Sequence, residues 1–332
     1  MEITFEKRMS VTITVARALS LISIVCAHIL FTVDTPAVLD KVYSVLGSIG
    51  VICYLFSSAY YYNPQKYGFV GLLKNKALTL CVPWLFLGTV SYLYNALLSK
   101  NFGIVGYCKW IIGNGSFLYF MSVLVICFLL FYRTNNIILF SAIGINLVSL
   151  VLTATGIIEP LINILHITNY LNVFNWIGVF ALGMLAKQLS AEKLYSFLKN
   201  TRYIALALFV VAVVLVCVFE VQTGYFSYVG IWLELLGMWA ILGASTFGYL
   251  ENRLVFDVSN LSFAIYLIHM MVIGVFDRLY NIHLVTQIFA VFIVIAISYV
   301  ALFVVRWVIK LVRLEKYLYP LFGFRDRKME KR

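Results

Sequence analysis

Charged residues are scarce in this chain: Asp, Glu, Lys and Arg make up 12% of its 332 residues, whereas 63% are hydrophobic. A soluble domain carries about 25% charged residues, so the composition excludes an ordinary soluble protein and leaves no separate soluble domain. Nearly the whole chain must therefore lie in a membrane. The positive charges behind the net charge of +11 concentrate in loops and at the C-terminus, so we expect a lipid bilayer and no nucleic acid as partner.

Three other features are missing. No C-x-x-C pair occurs, so we read the cysteines as packing residues and expect no disulfide and no metal site. No small-x-small exit site follows the first apolar run, which is also too long for a signal peptide and should stay as a helix. No clear internal repeat is visible, so the sequence does not indicate a transporter of inverted-repeat design. The six cysteines are Cys26, Cys53, Cys81, Cys108, Cys127 and Cys217.

Ten apolar runs approach the length of about 20 residues that a membrane span needs. They predict an all-α fold, a polytopic bundle of about ten transmembrane helices in a single domain over residues 1–320, with a basic cytoplasmic tail over 321–332. The runs cover approximately residues 11–33, 41–62, 77–98, 116–133, 136–157, 170–187, 203–222, 226–249, 261–280 and 285–312.

Lysine and arginine set the predicted orientation. With the N-terminus in the cytoplasm, 20 of the 25 Lys and Arg residues fall on the inner side and four on the outer side. Positive residues accumulate in cytoplasmic loops, so we predict that both termini are cytoplasmic and that the protein is multi-pass.

Arg17 and His28 stand inside the first apolar run, with ten residues between them. On a continuous helix both would share nearly one face, roughly 16 Å apart along the axis. A buried Arg suits a phosphate or a developing anion, and a neutral imidazole can accept a proton from a hydroxyl. Alternatively, His28 packs at the interface and Arg17 extends to the inner headgroups.

Two further clusters carry polar chemistry. Lys74 and Lys76 precede the third run, where they would grip the phosphates of a cytosolic donor or merely anchor the helix at the inner surface. Ser262, Tyr266 and His269 occur in the ninth run, and the last two share a helix face. They complete a polar interior or form a satisfied interhelical hydrogen bond.

Two weaker marks remain. Phe117 to Phe120 open the fourth run, and we interpret their aromatic rings as part of the interfacial belt. Glu234 falls within an apolar run, which favours a position facing the bundle interior, and the sequence assigns it no role.

These elements, in this order, resemble the membrane-bound acyltransferase family 3, bacterial proteins that acylate surface glycans and related molecules. The family has an Arg and a His with ten residues between them, a small-residue end to helix 2 and a basic pair before a proline. It also has an aromatic entry to helix 4 and a late Ser-x-x-Ile-Tyr-Leu-x-His element. The matching positions here are Arg17 and His28; Ser58-Ala59-Tyr60; Lys74, Lys76 and Pro83; Leu118-Tyr119-Phe120; and Ser262 to His269.

The resemblance implies acyl transfer from a cytosolic acyl-CoA, commonly acetyl-CoA, to a glycan hydroxyl in the bacterial cytoplasmic membrane. Acyl-CoA would be a co-substrate rather than a bound cofactor, and the acceptor a polysaccharide or its lipid-linked precursor. His28 and Arg17 would be catalytic. Lys74 and Lys76, with Ser262, Tyr266 and His269 deeper in the chain, would bind or orient the donor.

The chain departs from the family pattern at three places. Thr14 stands where an acidic residue often precedes the arginine, Ala59 replaces a glycine, and the basic pair is two lysines, which lack the bidentate fork of arginine. Two other functions would use the same helices. One is a polysaccharide or precursor exporter, and the other is a non-catalytic helper of a glycan synthase.

Overall fold

The computed structural model describes residues 4–29, 37–66, 68–279 and 284–324. These ranges form fourteen α-helices and no strand. The helices are α1 Phe5–Cys26, α2 Ala37–Tyr60, α3 Gly68–Lys76, α4 Val82–Ser99, α5 Ile104–Ile112, α6 Tyr119–Leu130, α7 Asn136–Ala154, α8 Glu159–Ile164, α9 Ile177–Gln188, α10 Ala191–Val218, α11 Tyr228–Ala244, α12 Arg253–Leu279, α13 Leu284–Leu311 and α14 Glu315–Phe322.

Seven helical stretches in the described ranges are long and apolar enough to cross a membrane, and α6, α9 and α11 are shorter apolar helices. Each overlaps one of the ten predicted runs. The all-helical fold and the multi-pass character are therefore confirmed. The count of ten spans and the cytoplasmic termini stay predictions.

Several helices begin where the sequence supplies a polar cap. The side chains of Thr4, Asn135, Ser190 and Ser227 accept hydrogen bonds from the backbone N–H groups three residues further on. Such caps satisfy donors that have no partner within the helix. These four residues therefore set the starts of α1, α7, α10 and α11.

Two predicted boundaries are wrong. The first helix ends at Cys26 rather than near Val33, and residues 30–33 of that run lie outside the described ranges. The third span begins at Gly68 rather than near Ala77. Its two α-helices are joined by a π-helical turn, Ala77–Cys81. Pro83 follows this turn and has no N–H to donate, which explains a local break in the regular hydrogen-bond ladder.

The helices group into two compact units. The first unit comprises Met1–Tyr62, Thr134–Ser259 and His283–Val291, and the second comprises the remaining segments. The chain therefore passes from one unit to the other within α12 and within α13. Residues 325–332 of the predicted basic tail are outside the part of the chain that the structure describes.

In the first unit, α1 and α2 pack closely because glycines of α2 face α1. A Cβ on Gly50 would lie 2.6 Å from the carbonyl oxygen of Ser20, and one on Gly47 would lie 2.6 Å from the Cα of Ala27. The Ser23 hydroxyl also donates a hydrogen bond to the carbonyl of Leu46. Small residues allow such close helix contacts in membranes, and this contact holds the end of α1.

A buried polar network also belongs to the first unit. Ser149 donates to the Asn175 side chain at 2.6 Å, and Thr153 donates to the same oxygen at 3.2 Å. The Asn172 amide donates to the Ser149 hydroxyl at 3.1 Å. Because buried polar groups must be paired, this network fastens the segment before α9 onto α7.

In the second unit, a tight connection joins α5 to α6. Gly113 caps α5 with φ +86°, and a Cβ there would overlap the backbone nitrogen of Tyr119. The Trp84 indole donates to the carbonyl of Ile111 at 3.1 Å, and the Ser116 hydroxyl donates to the carbonyl of Trp110 at 2.7 Å. These bonds hold the residues just before α6 in place.

Candidate active site

Arg17 lies in the middle of α1, in the first unit. Its guanidinium carbon is 5.8 Å from the centroid of the Tyr54 ring of α2. Tyr54 is buried, whereas Arg17 is half-buried. A cation over an aromatic face is stabilised by the ring quadrupole. The charge is therefore held against α2, inside a helix long and apolar enough to span a membrane.

His28 follows the last residue of α1 instead of lying within the helix. Its backbone N–H bonds to the carbonyl of Val25 at 3.1 Å, the tightened pattern of a final helical turn. His28 therefore does not share a helix face with Arg17 as predicted, because the helix ends at Cys26, two residues before the histidine. The preceding residue, Ala27, packs against Gly47, which fixes where the histidine begins.

The environment of His28 sets its protonation state. The side chain is half-buried, and burial lowers the pKa of His28 to about 4 because desolvation disfavours the charged ring. At neutral pH the imidazole is therefore neutral. That is the form that can accept a proton from a hydroxyl group.

The two lysines occupy the last turn of α3, within the helical stretch Gly68–Ser99, and their predicted place at its cytoplasmic mouth stays a prediction. The Lys76 ammonium lies 3.5 Å from the centroid of the Phe128 ring of α6, whereas Lys74 is exposed. They are two residues apart, so they project in different directions from the helix. Lys74 is therefore the better placed of the two to meet a soluble anion.

Ser262, Tyr266 and His269 are all buried in the second unit, at 0%, 3% and 0% exposure. The Tyr266 hydroxyl donates a hydrogen bond to the carbonyl of Phe117. His269 Nδ1 meets the carbonyl of Tyr266. A carbonyl only accepts, so Nδ1 carries a proton and donates it to this carbonyl. The Tyr266 bond joins α12 to the connection before α6, so the tyrosine is satisfied by a neighbouring segment, close to the interhelical hydrogen bond that the sequence left open.

The aromatic residues around Phe117 correct one interpretation. Phe117 and Phe120 are buried and do not form an interfacial belt. The Phe117 ring centroid lies 5.7 Å from that of Tyr266 and 5.3 Å from that of His269. The Phe120 ring packs on Tyr266 as well, at 5.8 Å. The entry to α6 and the late Tyr–His pair thus form one packed cluster.

The predicted site residues fall into both units. Arg17 and His28 belong to the first unit, and the lysines of α3 and the polar residues of α12 belong to the second. Within the second unit the structure brings Tyr266 and His269 together around Phe117.

Glu234 is the polar residue for which the sequence predicts no role. It is buried at 7% exposure in α11, and its Oε1 atom has no hydrogen-bond partner among the described residues. The only signal in the sequence was an isolated acid within an apolar run. Its interaction with Tyr170 joins it to a segment about sixty residues earlier, which no local pattern reveals.

Most of the chain matches a known protein family. The family model Acyl_transf_3, described as an acyltransferase domain, matches residues 11–305. The chain belongs to this acyltransferase family. The match covers every predicted site residue of the acyltransferase, from Arg17 to His269, and confirms the resemblance drawn from the spaced motifs. No curated protein and no solved structure gives a significant match.

Proposed function

We propose that this membrane acyltransferase moves an acetyl group from acetyl-CoA to a hydroxyl of a cell-surface polysaccharide or its lipid-linked precursor, in the bacterial cytoplasmic membrane. The observation that supports this most is the neutral, half-buried imidazole of His28 at the end of α1, within the residues that the acyltransferase family matches. The donor, the acetyl group and the glycan acceptor follow from the resemblance of the motifs.

In the proposed reaction, His28 acts as the general base. It accepts the proton of the acceptor hydroxyl as the hydroxyl oxygen attacks the thioester carbonyl carbon. The tetrahedral intermediate collapses, the carbon–sulfur bond breaks, and the CoA thiolate leaves and takes up the proton that His28 returns. The products are the O-acetylated acceptor and free CoA, and His28 is neutral again.

Positive groups would stabilise the charges of this reaction. Arg17, Lys74 and Lys76 would bind the donor's phosphates or the oxyanion that develops on the carbonyl oxygen. Tyr266 and His269, with Ser262 one turn earlier, would orient the donor. The hydrogen bond from Tyr266 to Phe117 supports a positioning role for the tyrosine, because its hydroxyl proton is already engaged.

A transfer assay tests the proposal. The full chain, purified into lipid nanodiscs, is incubated with labelled acetyl-CoA and a surface-glycan extract, and free CoA and labelled glycan are measured. We expect CoA release that depends on the acceptor. If the chain instead moves glycan across a vesicle membrane and never releases CoA, it is an exporter and the proposal fails.

The pH dependence of the transfer rate is a second expectation. His28 accepts a proton only when neutral, so the rate should be flat around neutral pH and fall with acid, reaching half near its pKa of about 4. Rates are measured at short times, with recovery at neutral pH as a check for unfolding. A half-maximal rate near pH 6.5, the ordinary value of a solvated histidine, would contradict a buried base.

Lys74→Ala should raise the KM for acetyl-CoA about tenfold or more, with little change in kcat, because a hydrogen bond to a charged phosphate is lost. Lys76 is less suitable for this test, since its substitution also removes the contact with Phe128. Lys109→Ala is the matched control, because Lys109 is also exposed and also in the last turn of a helix of the second unit. Equal KM values for both variants would remove Lys74 from the donor site.

A further inference from the structure

Glu234 has a buried carboxyl oxygen that lacks a hydrogen-bond donor in the described ranges. Its carboxyl group is buried in an apolar helix, and Oε1 accepts no hydrogen bond from any residue in the described ranges. Burying such a group without a partner is costly, and an acidic residue inside a membrane bundle marks a functional site more often than a packing position. A group that donates hydrogen bonds would satisfy this oxygen.

Four aromatic side chains of the first unit form a cluster near Glu234, here called the aromatic cluster: Tyr170, Trp176, Tyr225 and Phe226. The ring centroids lie 5.6 Å apart for Tyr170 and Tyr225, and 5.7 Å apart for Trp176 and Phe226. Tyr170 interacts electrostatically with Glu234. Trp176 is 2% exposed and Tyr170 is 37% exposed, so the cluster extends from the interior to the surface.

The contacts of the first unit connect this cluster to the histidine. The Tyr225 hydroxyl donates a hydrogen bond to the carbonyl of Gly47 at 3.1 Å. Gly47 in turn packs against Ala27, the neighbour of His28 in the chain. On α11, Gly237 lies about one turn from Glu234 and packs against Ile49 of α2. Glu234 and the aromatic cluster therefore lie beside the same middle part of α2, around Gly47 and Ile49, as the turn that carries His28.

We propose that Glu234 and the aromatic cluster form a binding subsite for one sugar ring of the acceptor. The Glu234 carboxyl oxygen accepts a hydrogen bond from a ring hydroxyl, and an exposed aromatic face packs against the C–H face of the sugar. This site offers no positive charge to the phosphates of CoA, and an acyl chain has no hydrogen-bond donor for Oε1, so neither part of the donor fits here. The inference rests on the proposed function, whose acceptor it describes.

Glu234→Leu separates this role from a structural one. Removing a buried carboxyl whose Oε1 has no hydrogen-bond partner in the described ranges should leave the thermal stability unchanged or raise it, because leucine suits an apolar helix. The KM for the acceptor should nonetheless rise about tenfold or more, with the KM for acetyl-CoA unchanged. The acceptors are para-nitrophenyl glycosides of glucose, galactose, mannose and N-acetylglucosamine, with labelled acetyl-CoA. Glu220→Leu, an exposed acid before α11, is the control and should resemble the wild type.

An acceptor KM within twofold of the wild type in Glu234→Leu overturns the subsite. If that variant cannot be purified, Tyr170→Ser at the exposed edge of the cluster replaces it. A raised acceptor KM then supports the subsite, and an unchanged one overturns it.

A binding measurement keeps the inference independent of the transfer reaction. Methyl glycosides of the same four sugars are added to the purified chain, and the change in tryptophan fluorescence is recorded. The same titration of Trp176→Phe shows which part of that change comes from Trp176. If the wild type transfers no acetyl group, the proposed function fails, yet a response that disappears in Glu234→Leu still supports the subsite. No response to any glycoside overturns it. A response to tetramethylammonium alone also overturns it, since the cluster would then bind a cation.

Discussion

Replacing His28 by asparagine is expected to lower the rate of acetyl transfer about 10²–10⁴-fold while leaving the affinity for acetyl-CoA nearly unchanged. Asparagine keeps a polar side chain of similar reach but has no basic nitrogen, so the acceptor hydroxyl must lose its proton to water. In the proposed reaction the imidazole acts on a proton that moves during the transfer rather than on the bound donor. Single-turnover rates and donor binding, measured on the same preparation, check both parts.

The matched control is His166→Asn. His166 is exposed and has a left-handed backbone with φ 51°, which asparagine tolerates well. This variant should transfer acetyl groups at the wild-type rate. If His28→Asn instead weakens donor binding as strongly as it lowers the rate, His28 is a donor ligand and not the base.

The second large effect is expected on stability, for Gly113→Ala. Alanine at φ +86° is strained, and its Cβ would overlap the backbone of Tyr119. The nearest atoms are the backbone nitrogen and Cα of Tyr119. Because backbone atoms cannot turn aside as a flexible side chain can, the start of α6 must shift. We expect a loss of about 3–5 kcal/mol in the free energy of unfolding. Thermal and denaturant unfolding in detergent measure it.

Gly115→Ala isolates the cause of that loss. Gly115 has nearly the same backbone angle, φ +85°, but a Cβ there meets no atom within 4 Å. It should lose only the strain of the left-handed conformation, about 1–2 kcal/mol. Equal losses in the two variants would mean that backbone strain explains everything and that the contact with α6 is unimportant.

Hydropathy was sufficient to locate the apolar helices, because the energetic demand of the bilayer acts on each run by itself. It was not sufficient for their ends. The first run remains apolar past Cys26, yet the helix stops where Ala27 meets Gly47. That contact joins residues twenty positions apart. The π-helical turn before Pro83 likewise depends on the backbone N–H that proline lacks, and an average of hydropathy does not detect a missing hydrogen-bond donor.

The candidate site residues could be proposed from the sequence because intramembrane Arg, Lys and His are rare enough to stand out individually. Their partners were not found. The burial of Phe117 against Tyr266 and His269, and the position of Lys76 over Phe128, join segments far apart in the chain. Phenylalanine in an apolar run carries no distinguishing signal, so its role emerges only from packing.

Gly47 has a consequence for how this acyltransferase would respond to random mutation. It has no functional group, but its missing side chain admits Ala27, and its carbonyl holds Tyr225. A genetic screen for inactive variants should therefore find substitutions of Gly47 as well as substitutions of residues whose side chains take part in the reaction. The loss of activity in such variants would result from displacement of Ala27 and Tyr225. Gly47→Ser should therefore be as inactive as Gly47→Ala.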